Sequence, residues 1–420
     1  MALERKEIFV YAYWDGIEAP FLMGSLYATP SRGKEIFSFE YDKGWLQSDY
    51  AQIIDPDLKL FEGAQYLNDE KSNFGVFLDS SPDRWGRVLM MRKESAKARK
   101  EDRRPKTLLE SDYLLEVYDN NRMGGLRFKT VKDDTFIDGN ASIVAPPFAA
   151  LRDLEFASLQ LEKEDALDNP EYLKWINMLM APGSSLGGAR PKVNIRDTDG
   201  SLWIAKFPSQ NDNQDMGAWE MLAYRLAIQS GIEMASSRIQ KFSHQQHTFL
   251  TQRFDRMVDG TRIHFASAMT LLGYTDGTDY QDGVSYLELL EFLMRNGADV
   301  DNDLKKLWRR IVFNVCVSNT DDHLRNHGFL LTDSGWILSP AYDINPTPNG
   351  SGLKLNISEN DNTLDLDLVR EVAPYFRLKE NEANAIISIV QHNVGQWQQI
   401  AMDLGIPSNE VELMKNAFKY

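Results

Sequence analysis

Between residues 319 and 326 the chain reads Asn319-Thr320-Asp321-Asp322-His323-Leu324-Arg325-Asn326, and a second isolated carboxylate, Asp343, follows in Pro340-Ala341-Tyr342-Asp343. Transfer of a phosphoryl group needs little covalent help from protein; it needs a group to orient the incoming hydroxyl, anchors for metal, and a cation on the phosphates. The Asp-x-x-x-x-Asn spacing supplies the first two parts: Asp321 as proton acceptor, with Asn326 and Asp343 as metal ligands. Hard Mg²⁺ prefers oxygen donors and keeps several waters, so one amide and one carboxylate beside nucleotide oxygens are an adequate set. Taken alone the spacing is common by chance, and a polar loop after a buried helix has the same residues. His323 and His327 are spaced as His-x-x-x-His without a third ligand nearby, so His323 reads as a loop-orienting residue rather than a zinc ligand.

The surrounding segments make the case stronger. Gly328-Phe329-Leu330-Leu331 and Trp336-Ile337-Leu338 flank Thr332-Asp333-Ser334-Gly335, a hairpin signature that folds Asp343 back toward Asn326. Upstream, Gly183-Ser184-Ser185-Leu186-Gly187-Gly188-Ala189-Arg190-Pro191-Lys192 opens a strand. Its small residues let backbone N–H groups approach phosphate, although a plain tight turn has the same composition and the run matches neither common phosphate-binding glycine motif. Lys206 sits mid-strand in Ser201-Leu202-Trp203-Ile204-Ala205-Lys206-Phe207, where a lysine needs a partner or an anion. Glu220, in the next helix, is either that partner or one half of a surface salt bridge.

Residues 8–14, 21–27 and 36–41 alternate apolar and polar between turn residues, which predicts a small antiparallel sheet. A helix is expected over 83–100, ending in the basic run 92–100; such a run is a solvated helix face or a contact for nucleic acid or a partner. Residues 139–147, with Pro146-Pro147, read as a linker. A helical pattern spans 150–180, another helix 216–230 stops at Gly231, and strands are expected at 239–242 and 248–254. Beyond 260 the chain is predominantly helical, and Leu304, Leu307, Trp308, Ile311, Val312, Val315 and Cys316 form one buried stripe.

The 420 residues are 43% hydrophobic, enough for a large core in two or three structural units. A formal net charge of -16 argues against a surface that seeks nucleic-acid phosphates. The single cysteine, Cys316, precludes an internal disulfide. With no signal-peptide pattern at the start and no apolar run of membrane-spanning length, the expectation is a cytoplasmic protein.

Ser185 to Lys192, Ala205-Lys206-Phe207-Pro208, Gln252-Arg253-Phe254-Asp255-Arg256, residues 319–326 and 340–343, taken in this order, resemble the HipA-like kinases, toxins of bacterial toxin-antitoxin pairs. The early Phe77-Leu78-Asp79-Ser80-Ser81-Pro82-Asp83-Arg84-Trp85-Gly86 is similar to that family's N-terminal region, so the resemblance covers most of the chain. It implies an α+β, bilobal protein-kinase-like fold: an extra N-terminal subdomain over 1–145, a sheet-containing nucleotide-binding lobe over 146–256, and a mostly helical lobe over 257–420. It implies ATP and Mg²⁺ as cofactors, with Gly187, Gly188, Ala189, Arg190, Pro191 and Lys192 as phosphate loop, Lys206 and Glu220 behind it, and Gln252, Arg253 and Phe254 at adenine. Many relatives have Glu where Gln252 stands. His323, Leu324, Arg325 and Tyr342 would line the nucleotide beside Asn326 and Asp343. It further implies autophosphorylation on Ser185, with Ser184 adjacent, which would expel the loop and switch the enzyme off. The implied partners are a small helix-turn-helix antitoxin of the HipB type that carries the DNA contact, and a protein substrate such as an aminoacyl-tRNA synthetase. A small-molecule kinase of the aminoglycoside or choline type shares the motif logic, and a catalytically idle antitoxin-binding scaffold is the non-enzymatic alternative.

Overall fold

Alternation shapes the first sheet, although Val10, Tyr11 and Ala12 in its first strand and Phe37, Ser38 and Phe39 in its third are buried in succession. In β1 (Lys6–Ala12) the side chains of Ile8, Val10 and Ala12 are fully buried, as period-two patterning over one buried face requires. The strand pairs antiparallel with β2 (Phe21–Ser31), which pairs in turn with β3 (Lys34–Tyr41). With β4 (Gln65–Tyr66) and β5 (Leu126–Lys129) the order is β4-β3-β2-β1-β5. Gly24 is required in β2, because a Cβ there would stand 2.2 Å from the Glu40 carbonyl. These features come from a computed structural model that describes residues 5–67, 71–132, 135–137, 145–180, 188, 190–242 and 245–419. Ser184, Ser185, Gly187 and Ala189, and most of the expected linker, lie outside the described residues.

The chain folds into two compact units, Met1–Gln210 with Asp255–Ala266, and Asn211–Phe254 with Ser267–Tyr420. In the first unit, buried charges tie the returning segment Asp255–Ala266 to the sheet. Arg122 is fully buried, donates to the carbonyls of Ser80 (2.6 Å), Leu114 (2.9 Å) and Val117 (2.8 Å), and lies 4.5 Å over the Phe128 ring. Burial pushes its guanidinium down to about 9, against the opposing pull of Asp119. Asp119 in turn binds Arg127 at 2.7 Å and Arg262 at 2.8 Å, and Asp255 accepts from the Gly124 N–H at 2.8 Å. A buried charge without such partners would cost several kcal/mol, roughly 3–5 when one partner is removed.

The expected helix at 83–100 is Arg84–Lys100, capped by Asp83. Acids stand near its basic run and just past it: Lys93 bonds Glu116 at 2.6 Å, Arg99 lies 3.4 Å from Asp168, and Arg103, beyond the helix, bonds Glu94 at 2.5 Å. That pattern fits the solvated-face reading. The 150–180 pattern is two helices, Leu151–Leu161 and Tyr172–Met180: the first ends at the Glu162 cap, a single tight turn follows at Ala166–Asp168, and Asn169 before Pro170 is extended (φ -76, ψ 130). β6 (Lys192–Arg196) and β7 (Leu202–Lys206) form an antiparallel hairpin that closes this unit.

The second unit holds the helix Met216–Gln229, whose end is marked by Gly231 at φ 75, and the hairpin of β8 (Ser237–Gln240) and β9 (Thr248–Gln252). β10 (Phe265–Ser267) leads into a short helix capped by Ser267. The helix Val300–Cys316 runs through the core: Leu304, Leu307, Trp308, Ile311, Val312 and Cys316 are fully buried, each worth ~1.5–3 kcal/mol for a large side chain. Burial pushes the Cys316 thiol up to about 12, so it packs as a small apolar group. Among the described residues no helix is long and apolar enough to cross a membrane.

His264, stacked on Trp14 at 4.7 Å, is pushed down to about 3 by burial. Between its ordinary value of 6.5 and about 3 the unfolded chain binds a proton that the folded chain does not, so stability falls as pH falls through that window. We expect His264→Phe to flatten this part of the acid dependence, seen as a smaller Tm difference between about pH 7 and about pH 5 than in the wild type. Equal differences in the two proteins would contradict a neutral buried imidazole.

Candidate active site

The loop that follows the core helix is organised around a carboxylate that points inward. Asp322 is 3% exposed and accepts from three donors: the Tyr286 hydroxyl at 2.5 Å, Asn314 Nδ2 at 2.8 Å and His327 Nε2 at 2.8 Å. Burial alone would raise its carboxyl, but the His327 and Tyr286 contacts hold it below the usual carboxylate range. The same burial and the facing carboxylate push the Tyr286 hydroxyl well above its ordinary value, so it remains a donor. An ionised carboxylate only accepts, so the proton of this contact is on His327 Nε2. Behind the loop Arg310, 3% exposed, donates to the Ser339 carbonyl and places a positive charge in the field of Asp322.

With Asp322 turned in, its neighbour Asp321 is exposed. The Asp321 carbonyl accepts from Asn326 Nδ2 at 3.0 Å and from the His323 N–H at 2.9 Å, and Leu324–Asn326 form a single tight turn. The turn brings Asn326 and Asp321, five residues apart, into direct contact. His323 contributes its backbone to that turn, while the imidazole that bonds Asp322 belongs to His327.

The hairpin expected after the loop is present: β11 (Gly328–Thr332) pairs with β12 (Gly335–Leu338), with Thr332 opposite Gly335. It returns the chain to the loop, where the Tyr342 hydroxyl donates to the Arg325 carbonyl at 2.8 Å. Asn345 completes the link, donating through Nδ2 to Asp343 Oδ1 and through its backbone to Asn319 Oδ1, each at 3.2 Å. Asp343 (φ 57) and Ser318 (φ 49) bracket the assembly in left-handed backbone, a costly conformation for residues other than glycine that collects at functional sites. Among the described residues no group of three His, Cys, Asp or Glu side chains is arranged to hold a metal. Asn326 and Asp343 carry oxygen donors of the hard kind that Mg²⁺ accepts.

The other residues expected at the site divide between the two units. In the first, Arg190 Nη2 donates to the Phe207 carbonyl at 3.2 Å, the Phe207 N–H bonds the Pro191 carbonyl at 2.9 Å, and Lys192 stands opposite Lys206 on the β6–β7 hairpin. In the second, Glu220 and Arg253 are buried, Gln252 ends β9, and the Phe254 ring lies 5.6 Å from that of Tyr342.

Asn314, Tyr286 and Asp322 carry structural weight that spacing alone did not assign. The available signal was Asn314, an amide on the buried face of an otherwise apolar helix stripe, where a polar side chain must find a partner. Removing one member of a buried charged network costs about 3–5 kcal/mol, so Asp322→Ala should destabilise the chain by that order in denaturant unfolding. Tyr286→Phe, which deletes one donor, should cost about 1–3 kcal/mol. A loss below about 1 kcal/mol for Asp322→Ala would remove the network from its organising role.

Comparison with known proteins identifies the family. The HipA-like C-terminal domain family matches residues 184–398. Curated relatives include the putative kinase Y4mE of Sinorhizobium fredii, 30% identical over 38% of this chain and 41% of its own length, and the serine/threonine-protein kinase toxin HipA of Shewanella oneidensis, 26% identical over 56% and 59%. A putative kinase of Haemophilus influenzae is 24% identical over 40% of this chain and 54% of that relative. The chain thus spans about half the length of the curated relatives it matches. Among solved structures, HipA from the Shewanella oneidensis complex of HipA, HipB and operator DNA superposes with a TM-score of 0.65 at 18% identity, covering 98% of this chain and 94% of that one. The mixed helix-and-sheet fold is therefore HipA-like, and the chain belongs to the family defined by the HipA-like C-terminal domain.

Proposed function

We propose that this chain is an ATP- and Mg²⁺-dependent protein serine/threonine kinase that acts as the toxin of a toxin-antitoxin pair. The observation that carries the reading is the loop in which inward Asp322 leaves Asp321 exposed and bonded through its carbonyl to Asn326, with Tyr342 and Asn345 stitching Asp343 to the same loop. In this reading residues 1–145 are the extra N-terminal subdomain, 146–256 the nucleotide-binding lobe and 257–420 the helical lobe.

Asp321 accepts the proton of the substrate serine or threonine hydroxyl as its oxygen attacks the γ-phosphorus; the bond to the β–γ bridging oxygen breaks and ADP leaves. Asn326 and Asp343 hold Mg²⁺, which when bound neutralises charge on the phosphates during transfer. Lys206, with Glu220 as its partner, takes the α- and β-phosphates; Gln252, Arg253 and Phe254 meet adenine, and His323, Leu324, Arg325 and Tyr342 line the nucleotide. Gly187 to Lys192 form the phosphate loop. Ser185 is its self-phosphorylation site, where about two added negative charges beside the nucleotide's own would drive the loop out and stop turnover.

One curated relative is named a serine/threonine-protein kinase toxin, and the solved HipA is bound to HipB and operator DNA. These names support a HipB-type antitoxin as partner, with DNA contact made mainly through it, which suits a chain of net charge -16. A translation component such as an aminoacyl-tRNA synthetase is the proposed substrate.

Incubated with Mg²⁺ and labelled ATP, the wild-type chain should label itself, Ser185→Ala should abolish that label, and Asp321→Ala should lower transfer by about 100-fold or more. Label on an aminoglycoside or choline instead would favour a small-molecule kinase. A wild-type chain with unmodified Ser185, checked by mass spectrometry, that binds no ATP would overturn the kinase reading.

A further inference from the structure

A buried ion pair outside the catalytic loop joins the first unit's N-terminal region to the expected phosphate loop. Lys192 Nζ lies 3.2 Å from Asp83 Oδ2, with side chains 5% and 2% exposed. The other Asp83 oxygen is committed to the helix Arg84–Lys100, accepting from the Gly86 N–H at 2.7 Å. That helix start is rigidly held: Arg87 donates to the Pro82 carbonyl at 3.1 Å and makes a two-pronged contact with Glu110 at 2.6 and 2.7 Å. Asp83 is therefore a fixed carboxylate.

On the opposite side, the Lys192 ammonium rests against Gly188, where an added Cβ would stand 2.8 Å from Nζ. Gly188 has φ +107, a conformation that favours glycine, so both backbone and space restrict the position. Lys192 also faces Lys206 across the β6–β7 hairpin, and like charges directly opposite repel. The Asp83 carboxylate offsets that repulsion and holds one of the two cations in place. The small cavity beside the pair, about 20 Å³ and walled by Trp85, Leu89 and Met90, has room for about one water but not for a phosphate.

A buried ion pair contributes little net stability compared with apolar residues of the same size. Its position under a phosphate-loop glycine is what distinguishes this one. We propose that Asp83 is a positioning residue of the nucleotide site, holding the Lys192 ammonium beneath Gly188 so that the end of the phosphate loop is set to receive ATP. The proposal rests on the kinase function proposed above. It gives the N-terminal region a part in nucleotide binding through one side chain.

Asp83→Asn separates the two jobs of this residue, because asparagine caps a helix as well as aspartate does and lacks the charge. In the full chain with Mg²⁺, we expect Asp83→Asn to raise KM for ATP about tenfold while kcat moves less than about threefold; Tm falls, because the buried Lys192 ammonium loses its counter-ion. Lys192→Met should give the same KM change, and the double variant should be no worse than either single one, since the two act as a unit. The double variant also leaves no uncompensated buried ion, so it supplies the measurement if Asp83→Asn alone does not fold. A wild-type KM in Asp83→Asn or in the double variant, with or without a lowered Tm, assigns the pair to structure alone and overturns the proposal while leaving the kinase reading intact. A wild-type chain that transfers no phosphate overturns both.

Discussion

The buried carboxylate of Asp322 is the constraint around which the second unit's loop 319–326 is built. An ionised group at 3% exposure must be surrounded by donors, and here they come from three parts of the chain: Tyr286 on one helix, Asn314 on the core helix and His327 just before β11. Each donor therefore pins its own element to the loop. Adjacent side chains of the loop face opposite ways, so anchoring Asp322 inward leaves Asp321 outward. The exposed aspartate inherits a position that its own few contacts could not impose, because the surrounding shell holds the loop.

The same physics recurs in the first unit with a different result. Arg122, Asp119, Arg262 and Asp255 form buried charged contacts that hold Asp255–Ala266 against the N-terminal sheet, and none of them belongs to the expected chemistry. Burial of charge is thus not in itself a mark of function. What separates Asp322 and the Asp83–Lys192 pair is what stands next to them: an exposed carboxylate bonded to Asn326 in one case, a left-handed glycine of the expected phosphate loop in the other.

Family membership rests on the match over 184–398, and the HipA-like fold extends across nearly the whole chain by superposition. Sequence relatives match over shorter stretches, 41–59% of their own lengths. The part of the chain that sequence comparison reads least well is the one where long-range structure is most informative, since the N-terminal sheet and the Asp83 contact are tertiary features.

From the sequence alone, the β1–β2–β3 alternation, the helix that becomes Arg84–Lys100, the buried stripe of the core helix and the β11–β12 hairpin were all legible. Each is set by local periodicity or turn chemistry, and tertiary packing agreed with it. Asp321, Asn326 and Asp343 stood out in the sequence for the same reason, lying close together in the chain with turn signals between them; the structure sets Asn326 against the Asp321 carbonyl and links Asp343 to the loop through Asn345. The single helical pattern over 150–180 is interrupted from Glu162 to Glu171, where a tight turn and Pro170 separate two helices. The pairing of Asp322 with Tyr286, of Asp83 with Lys192 and of Asp255 with Gly124 could only be decided by the tertiary structure. A buried charge seeks whichever donor the fold brings within about 3 Å, and nothing in the local sequence says which distant residue that will be.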